Sequence, residues 1–372
     1  MKEKIEIVIA QFNAVVGDID ANANRIIDII RKDRSLDTTR LIVFPELALC
    51  GYSPEDLLYR KDFANACNSA INKIKDNIES NEYLILGAPN YSEDLSMIWN
   101  SAYLINNKDI SGIYKKQILP NYGVFDEKRY FFKGKDNYVF EINGNKICIM
   151  ICEDLWNFIS LYDDSIKDID FLISINASPY ENKKDEERVD FFKKISAEYK
   201  FNLVYLNTVG GQDEIVFDGS SFLIDRNGKI KHKCDAFREE IFNFSTYKKD
   251  FSDDCKYSIK DNSDDNEQLY EALKVGIHDY ISKSNLNGVI LGLSGGIDSA
   301  LTLAIANDVF KKDEIEAVLL PSIYTSDLSI QLAKEQCELL NINYSLISIK
   351  EVNEVINNTL KKRFSGLPND IT

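Results

Sequence analysis

The chain has 372 residues, 44% of them hydrophobic, and a formal net charge of −16. This length suits about two domains with ordinary cores, and the acidic balance disfavours non-specific binding to nucleic acid, which is itself a polyanion. The amino terminus, MKEKIEIVIAQFN, alternates apolar and polar residues, unlike the unbroken apolar run of a signal peptide or membrane span. We therefore expect a cytoplasmic protein with no membrane partner and no nucleic-acid partner.

Short apolar strands alternate with amphipathic helices over the first two thirds of the chain. The clearest strands are EIVIAQF, LIVFPEL, YLILGAP, NSAYLI, KICIMIC, FLISINAS and LVYLNTVG. Several are apolar on both faces, which is typical of sheets covered by other layers. Helices are expected over 24–33 and 55–78, and Asn-Gly pairs within 141–146 and 225–230 favour tight hairpins. The pattern predicts one compact α/β domain over residues 1–246.

Residues 247–267 lose apolar periodicity and are rich in Asp, Lys, Asn and Ser, which indicates a solvated linker. An irregular edge element packed on the first domain is the alternative, because Phe251, Tyr257 and Ile259 could anchor it. Beyond this segment come LYEALKVGIHDYISKS, GVILGL, a glycine loop, ALTLAIANDVF, EAVLLP and a further helix. Their alternation of helix and strand predicts a parallel α/β domain over 268–372.

Cysteine and histidine usage limits the chemistry available to the chain. Seven cysteines without regular spacing do not describe a disulfide framework. Cys148 and Cys152 lie on one predicted strand, about 13 Å apart at strand rise, too far for a disulfide. The two histidines, His232 and His278, lie in a polar run and on a helix, so neither is expected to catalyse. A zinc site of the usual composition has little to draw on.

Three predicted strand ends carry complementary side chains. Cys152 ends ICIMIC and is followed at once by the polar turn EDLW, a placement like a nucleophile elbow although GxSxG is absent. Glu46 follows one strand within LIVFPEL, and Lys116 follows another in GIYKKQILP. A thiol nucleophile needs a base, and together these residues supply a base, a cation and a thiol. Each of them alone is equally consistent with a core or surface residue.

Together the three residues resemble the Glu-Lys-Cys triad of the nitrilase superfamily. Longer segments resemble, in order, the forms found in the glutaminase domains of NAD synthetases: FPELALCGYSPEDLL, YKKQILPNYGVFDEKRYF, ICEDLW, NASPY and VGGQDEIVFDGSSF. The resemblance spans nearly the whole first domain. It implies an α-β-β-α nitrilase-like sandwich with the site between the two sheets.

The resemblance also implies roles for individual residues. Cys152 would attack the side-chain amide of glutamine, Glu46 would move the protons and Lys116 would stabilise the oxyanion. Lys116 is preferred to Lys115 because it aligns with the Tyr-x-Lys of the family. Glu127 would orient Lys116, unless it is a salt-bridged surface residue. Three further residues would hold glutamine: Tyr122, Ser178 and Lys184.

A glycine loop stands between a strand and a helix in the second domain. It comprises Gly292, Leu293, Ser294, Gly295, Gly296, Ile297, Asp298 and Ser299. Glycines let the backbone approach a ligand, and N–H groups at a helix start favour phosphate, although a plain tight turn would also use glycine. The order SGGxDS resembles the loop of ATP pyrophosphatases, whereas the Walker pattern is absent. The resemblance implies ATP as substrate, with Asp298 holding Mg²⁺, rather than serving only as a first-turn acid.

The segment AVLLPSIYTSDLSIQLAKEQCELLNI resembles the NAD synthetase branch of that family. It implies a ligase that uses ammonia from glutamine and adenylates deamido-NAD with ATP, giving NAD, AMP and pyrophosphate. We expect no prosthetic group, and we expect the chain to form a homo-oligomer. The second domain is interpreted as the beginning of a parallel α/β, adenine nucleotide alpha hydrolase-like fold, because few βα units follow the loop. We therefore expect that this truncated chain does not support the synthetase step.

Three alternatives compete with this interpretation. GMP and asparagine synthetases use a Cys-His-Glu site or an amino-terminal cysteine, whereas residue 2 here is Lys and neither histidine is well placed. A free-standing nitrilase-type amidase acting on another small amide is the alternative function, which hydrolysis of a panel of amides would separate. A non-catalytic remnant is disfavoured for the first domain by Glu46, Lys116 and Cys152, but not for the second.

Overall fold

The computed structural model describes residues 4–34, 37–252 and 264–365, and the chain divides into two compact units, Met1–Gly276 and Ile277–Thr372. The strands are β1 (Ile5–Gln11), β2 (Thr39–Val43), β3 (Glu82–Tyr91), β4 (Ile98–Asn106), β5 (Asp109–Lys115), β6 (Tyr138–Ile142), β7 (Asn145–Ile151), β8 (Phe171–Asn176), β9 (Asn202–Asn207), β10 (Val209–Gln212), β11 (Ile215–Asp218), β12 (Phe222–Ile224), β13 (Ile230–Lys233), β14 (Glu240–Tyr247), β15 (Asp250–Phe251), β16 (Val289–Gly292), β17 (Ile315–Leu319) and β18 (Asn343–Leu346).

The helices are α1 (Ile19–Arg31), α2 (Lys61–Lys75), α3 (Glu127–Tyr130), α4 (Glu153–Trp156), α5 (Phe158–Leu161), α6 (Lys184–Tyr199), α7 (Asp265–Lys283), α8 (Ile297–Val309), α9 (Asp327–Leu340) and α10 (Lys350–Leu360). Short 3-10 turns cover Glu55–Tyr59 and Lys312–Glu314. Within the described ranges, no helix has the length and apolar character needed to span a bilayer.

Two large sheets form the first unit. One has seven strands in the order β15-β14-β1-β2-β3-β4-β5, and the other has six in the order β13-β12-β9-β8-β7-β6. In each sheet three central strands run parallel, β1-β2-β3 and β9-β8-β7, and antiparallel strands flank them. Because parallel strands end at one edge of a sheet, residues that follow them gather there.

The layers of the first unit follow from three buried apolar clusters. One cluster draws side chains from both sheets, among them Ile7 and Ile149, and so lies between them. A second packs α1 and α2 on the outer face of the seven-stranded sheet, and a third packs α6 on the outer face of the six-stranded sheet. This arrangement is the α-β-β-α sandwich that the resemblance implied.

Strand β7 shows why its sequence is apolar on both faces. Ile147, Ile149 and Ile151 belong to the cluster between the sheets, whereas Cys148 and Met150 belong to the outer cluster. Successive side chains point to opposite faces of a strand, so both faces here are buried. Each fully buried aliphatic side chain stabilises the fold by roughly 1.5–3 kcal/mol. Such burial on two faces holds the carboxyl end of β7 in place.

The local turn predictions are confirmed. Asn143 and Gly144 have positive φ angles of 49° and 78° between β6 and β7, as a two-residue type I′ hairpin requires. Between β12 and β13, Gly228 has φ 78°, and Asp225 Oδ1 accepts hydrogen bonds from the N–H groups of Asn227 and Lys229 at 2.9 and 3.0 Å. Both Asn-Gly pairs therefore close hairpins.

The predicted helix over 55–78 was wrong as a single element. Residues Glu55–Tyr59 form a 3-10 turn, Arg60 is extended with φ −84° and ψ 126°, and α2 begins only at Lys61. The apolar spacing continues through Arg60, so periodicity alone does not reveal the break. The helix predicted over 24–33 exists, but it begins earlier, at Ile19, where Asp18 caps it.

The segment predicted as a linker, 247–267, is described only in part, because residues 253–263 lie outside the described ranges. Its first residues continue the seven-stranded sheet: Tyr247 ends β14, and β15 pairs antiparallel with β14. Phe251 is buried in the cluster between the sheets, so it anchors the segment as the alternative interpretation allowed. Tyr257 and Ile259, the other candidate anchors, fall in the part that is not described.

The second unit contains a parallel sheet in the order β16-β17-β18. Helices α8 and α9 connect its strands, and Leu303, Ala317 and Cys337 are fully buried in its core. The alternation of strand and helix confirms the predicted parallel α/β class. The glycine loop follows β16 directly and leads into α8, at the edge where such folds bind ligands.

Candidate active site

The three predicted catalytic side chains follow strands of both large sheets. Glu46 follows β2, Lys116 follows β5 and Cys152 follows β7. Their exposed fractions are 2%, 1% and 5%. Strands β2 and β5 belong to the seven-stranded sheet and β7 to the six-stranded one, so three buried side chains come from strand ends of both sheets.

Lys116 lies between two carboxylates. Its Nζ donates to Glu46 Oε1 at 2.7 Å and to Glu127 Oε1 at 2.8 Å. Burial alone would lower the pKa of Lys116, but the charges of Glu127 and Glu46 raise it well above its usual value. Lys116 is therefore a fixed cation at physiological pH.

Glu46 is held by two further donors that the sequence did not single out. Asn100 Nδ2 donates to Glu46 Oε1 at 2.6 Å, and the Ala177 N–H donates to Oε2 at 2.8 Å. The backbone carbonyl of Asn100 also accepts the Lys116 N–H at 2.9 Å, so Asn100 contacts both members of the ion pair. Asn100 could have been suspected from the sequence, because it is a polar residue in the mostly apolar strand NSAYLI and a buried polar side chain needs a hydrogen-bond partner. The Ala177 N–H gave no such signal, since backbone groups are not visible in a side-chain pattern.

Glu127 is buried and is not the surface residue that one interpretation allowed. Its exposed fraction is 3%, and its Oε1 also accepts the hydroxyl of Tyr52 at 2.8 Å. Desolvation raises the pKa of Glu127 to about 7, although Lys116 opposes the shift. Near neutral pH this carboxyl therefore carries a proton in part of the molecules.

Cys152 occupies a sharp turn. Its φ of 48° and ψ of −101° are unusual for a residue with a side chain, and such strain concentrates at functional positions. Its N–H continues the sheet by donating to the Ile175 carbonyl at 3.0 Å. Burial, and then the charge of Glu46, raise the pKa of the Cys152 thiol well above its usual value, against the effect of Lys116. The resting thiol is therefore protonated and needs a base when it attacks.

The adjacent lysines Lys115 and Lys116 point to opposite sides of the strand. Lys115 Nζ lies 3.3 Å from the centre of the Trp99 ring, whereas Lys116 reaches the buried carboxylates. Alternation of side chains along a strand produces this separation. Of the two, only Lys116 is joined to Glu46 within the described residues.

The three predicted glutamine-binding residues occupy different settings. Tyr122 is 58% exposed, and its hydroxyl donates to Glu153 Oε2 at 2.9 Å, next to Cys152 in the chain. Ser178 is buried and follows Ala177; its N–H donates to Asn207 Oδ1 at 2.8 Å.

Lys184 begins α6, and its ammonium lies 3.3 Å from Glu187 and 5.2 Å from the centre of the Trp156 ring. Tyr122 thus bonds to the chain neighbour of Cys152, and Ser178 follows the residue whose N–H donates to Glu46. None of the contacts described for residues 4–252 joins Lys184 to the triad.

The glycine loop of the second unit is compact and internally bonded. Gly295 has φ 79°, and a Cβ on it would lie 2.2 Å from the Ser329 carbonyl oxygen, so only glycine fits there. The hydroxyls of Ser294 and Ser299 lie 3.0 Å apart, and Ser294 Oγ accepts the Gly296 N–H at 3.2 Å. A cavity of about 270 Å³ adjoins the loop; its lining includes Gly292, Leu293, Ser294, Val318, Leu320, Pro321 and Thr325. Asp298 and Ile297 are exposed in the first turn of α8.

One group of three side chains among the described residues has the composition of a metal site. The ligand atoms of His232, Cys234 and Glu240 lie within 4.8 Å of one another. A tetrahedral zinc site, with bonds of roughly 2.0–2.3 Å, needs its ligands about 3.3–3.8 Å apart. Glu240 Oε2 instead accepts the N–H of Asp235 at 2.9 Å, and the ring of His232 stacks on Phe242. Two of the three side chains thus already have other partners.

Two family models match the chain. Residues 7–244 match the carbon-nitrogen hydrolase family, and residues 269–370 match the NAD synthase family. An amidase from Nesterenkonia sp. AN1, in a mutant form, shares 18% identity at a TM-score of 0.57 over 65% of this chain and 90% of its own. At that identity the likeness shows the fold alone.

Two curated relatives match along nearly the whole chain. The glutamine-dependent NAD(+) synthetase of Acinetobacter baylyi is 36% identical over 370 residues, covering 100% of this chain and 68% of its own. That of Aquifex aeolicus is 32% identical over 407 residues, covering 99% and 70%. A solved structure of the Acinetobacter baumannii synthetase with adenosine diphosphate superposes with a TM-score of 0.90 at 34% identity, covering 99% of this chain and 69% of its own.

A free-standing nitrilase-type amidase would match the carbon-nitrogen hydrolase model alone, whereas this chain also matches the NAD synthase model, so that alternative is not supported. The order of the two matched regions is also the order of the two units of the fold. With the identity and coverage of the curated relatives, this places the chain plainly: it belongs to the family of glutamine-dependent NAD(+) synthetases.

Proposed function

We propose that Cys152, Glu46 and Lys116 carry out the glutamine hydrolysis of this ATP-dependent ligase. The observation that carries the proposal is the buried ion pair of Glu46 and Lys116, whose charges both act on the Cys152 thiol. A buried carboxylate and ammonium at strand ends are costly for the fold. This ion pair lies beside a thiol on a strained backbone turn, which favours a catalytic role for the pair over a structural one.

In the proposed reaction, Cys152 Sγ attacks the side-chain carbonyl carbon of glutamine while Glu46 takes the thiol proton. The oxyanion that forms is stabilised by the ammonium of Lys116. Glu46 then returns the proton to the leaving amine, which departs as ammonia and leaves a thioester on Cys152. Water, deprotonated by Glu46, attacks the thioester carbon, and the products are glutamate and the regenerated thiol.

The electrostatics of the site suit this sequence of steps. The raised pKa of Cys152 keeps the proton on sulfur until attack, so the base receives it when the new bond forms. The raised pKa of Lys116 keeps the ammonium charged throughout. Glu46 is anchored by Asn100 and the Ala177 N–H, which limits its movement between the two proton transfers.

Covalent labelling tests the assignment of the nucleophile. A glutamine-like electrophile, 6-diazo-5-oxonorleucine, should label Cys152, and added glutamine should protect it. Peptide mapping by mass spectrometry reads the site of label. Cys148, fully buried on the other face of β7, should stay unlabelled. Label found chiefly on Cys67, Cys234 or Cys337 would contradict the proposal.

We further propose that Tyr122, Ser178 and Lys184 hold the glutamine substrate. Tyr122 is supported by its bond to Glu153, the chain neighbour of Cys152, and Ser178 by its place directly after Ala177, whose N–H donates to Glu46. Lys184 rests on the resemblance alone. Separate alanine variants should raise KM for glutamine more than they lower kcat, and an unchanged KM would remove that residue from the site.

For the second unit we propose that the loop from Gly292 to Ser299 binds the phosphates of ATP. Support comes from the glycine-restricted turn at Gly295, the adjoining cavity, and the adenosine diphosphate with which the Acinetobacter baumannii synthetase was solved. Asp298 fits a Mg²⁺ partner because its carboxylate is exposed in the first turn of α8, and hard cations prefer carboxylate and phosphate oxygens. When bound, Mg²⁺ would neutralise phosphate charge during adenylation of deamido-NAD. Calorimetry with ATP, with and without Mg²⁺, on Asp298→Asn tests this role.

Three broader features are proposed on the resemblance and composition. We propose a glutaminase domain over 1–246, a connecting segment over 247–267 whose first residues extend the seven-stranded sheet, and a synthetase domain over 268–372; limited proteolysis tests these bounds by cutting within 247–267. We propose a homo-oligomer, which light scattering tests by its mass. We also propose a cytoplasmic location, which cell fractionation tests.

A further inference from the structure

Asp154 is a buried carboxylate that the proposed mechanism does not use. It lies two residues after Cys152 and is 0% exposed. Its Oδ1 accepts the N–H groups of Gln117 and Ile118 at 3.0 and 2.7 Å. Its Oδ2 accepts the Tyr114 hydroxyl at 2.8 Å and the Ile151 N–H at 3.3 Å. Each carboxylate oxygen therefore has two donors.

These donors come from two strand ends that belong to different sheets. Tyr114 is on β5, and Gln117 and Ile118 directly follow Lys116, whereas Ile151 is the last residue of β7 and precedes Cys152. Asp154 thus joins the backbone that carries the ammonium to the turn that carries the thiol. No other described side chain accepts hydrogen bonds from the backbone on both sides of this junction.

We propose that Asp154 is a positioning residue for glutamine hydrolysis, which fixes Lys116 relative to Cys152 so that the ammonium meets the oxyanion as it forms. The inference rests on the proposed function of Lys116 and Cys152. Oxyanion stabilisation depends on donors held in place before the reaction, so small displacements lower the rate.

The chemistry of the four contacts requires a charged carboxylate at this position. An ionised Asp only accepts hydrogen bonds and offers enough lone pairs for four donors. Desolvation raises the pKa of Asp154 to about 6, while Lys116, the two N–H groups and Tyr114 counter the shift. The side chain is thus ionised at neutral pH. An amide would replace one accepting oxygen by a donor, which the Tyr114 hydroxyl can turn to accept but a backbone N–H cannot, and an apolar residue would leave all four donors without an acceptor.

The test is Asp154→Asn in the full chain, with Asp170→Asn as a matched control. Asp170 is also buried, and its Oδ2 accepts the Lys146 N–H at 2.9 Å. It lies directly before β8, whereas Ala177, which contacts Glu46, directly follows that strand.

We express kcat for glutamine hydrolysis per mole of Cys152 that reacts with the glutamine-like electrophile. This kcat should fall at least about tenfold in Asp154→Asn, and KM should stay within about threefold of the parent value. The control should keep kcat within about twofold.

Alkylation of Cys152 by iodoacetamide separates positioning from a general loss of structure. That reaction forms no oxyanion, so its rate in Asp154→Asn should stay within about threefold of the parent rate while hydrolysis falls. An equal fall in alkylation and hydrolysis would mean a damaged thiol turn and would overturn the inference. Hydrolysis within about twofold of the parent would overturn it as well.

Tyr114→Phe gives a second measurement that a failure of Asp154→Asn to fold does not affect. It removes one of the two donors to Oδ2 and keeps the buried ring, so kcat should fall about threefold with KM unchanged. An unchanged kcat in this variant would overturn the inference. If the parent chain itself fails to hydrolyse glutamine, the proposed function is refuted, and this result is distinct from either variant outcome.

Discussion

The proposed glutaminase site and the glycine loop differ in their exposure to solvent and in the groups that shape them. The first site is buried: the exposed fractions of Glu46, Lys116 and Cys152 are 2%, 1% and 5%. Glu46 and Lys116 form an ion pair there. In the loop of the second unit, Ile297 is 80% exposed, and the bonds that shape it involve backbone groups and serine hydroxyls. The proposed catalytic site is therefore held by buried charge pairs, whereas the proposed nucleotide loop is shaped by backbone groups and hydroxyls and is open to a charged ligand.

This difference predicts where substitutions act. In the buried site, removal of one charge leaves its partner unpaired and changes both catalysis and stability. In the loop, the backbone conformation is what matters, so a change should weaken nucleotide binding and leave glutamine hydrolysis intact. Single substitutions in each site can therefore test the two sides of the comparison separately.

The largest effect is expected for Cys152→Ala. Loss of the attacking atom should lower glutamine hydrolysis by about 10⁴-fold or more, measured as ammonia release by protein with parental circular dichroism. Cys148→Ala is the control, because it removes a thiol from the same strand but from the outer core. The control should lose only about 1 kcal/mol of stability. Activity of the Cys152 variant within tenfold of the parent would refute the nucleophile assignment.

Lys116→Met should have the next largest effect. Without the ammonium, the oxyanion loses a stabilising group and kcat should fall about 100- to 1,000-fold. Glu46 and Glu127 would face each other without a cation, so the free energy of unfolding should fall by roughly 3–5 kcal/mol, measured by urea denaturation. The control is Lys115→Met, since Lys115 lies over Trp99. Equal effects of the two lysine variants would refute the assignment.

In the loop, Gly295→Ala should weaken ADP binding at least about tenfold. The new Cβ would lie 2.2 Å from the Ser329 carbonyl, so the turn must open. Gly144→Ala is the control: its φ is 78° and a Cβ there meets nothing within 4 Å, so it shares the strain but not the clash. Calorimetry measures both affinities. A loss of glutamine hydrolysis in Gly295→Ala would contradict the separation of the two sites.

The final predicted effect concerns the pH dependence of stability and involves Glu127. Burial raises its pKa from 4.5 in the unfolded chain to about 7. The folded state therefore holds a proton that the unfolded state has lost, and this contribution to stability falls as pH rises from about 4.5 to about 7. Glu127→Gln lacks this loss, so its stability relative to the parent should improve as pH rises over that window, by roughly 3 kcal/mol at most.

Urea denaturation at several pH values measures the difference between Glu127→Gln and the parent. Glu198→Gln, on the exposed face of α6, is the control and should show no such trend. A constant difference between Glu127→Gln and the parent from pH 4.5 to 7 would show that Glu127 titrates normally.

Much of the first unit could be predicted from its sequence. The strands quoted from the apolar pattern all exist, and both Asn-Gly pairs lie in hairpins, because Asn143, Gly144 and Gly228 adopt the positive φ that few other residues tolerate. The break at Arg60 could not be predicted, because the apolar spacing of 55–78 continues across it. Tertiary packing of the 3-10 turn and α2, rather than local propensity, separates the two elements.

The candidate site divides in the same way. Strand ends carrying Glu46, Lys116 and Cys152 are visible as polar or reactive residues directly after apolar runs. The donors that hold Glu46, namely Asn100 and the Ala177 N–H, lie 54 and 131 residues away in the chain. No local pattern encodes such pairings. The same is true of Asp154, which is one acid among many in a chain with 60 acidic residues.

The sequence by itself determined the strands, the tight hairpins, the glycine-restricted loop and the residues that could do chemistry, since these depend on side-chain type and short-range geometry. Only the tertiary structure decided that Lys116 sits 2.7 Å from a carboxylate 70 residues away, that Glu127 is buried, and that Phe251 closes the core between the sheets. The reason is physical. Burial and charge pairing depend on which distant segments pack together, and that packing alone sets the pKa values on which the chemistry depends.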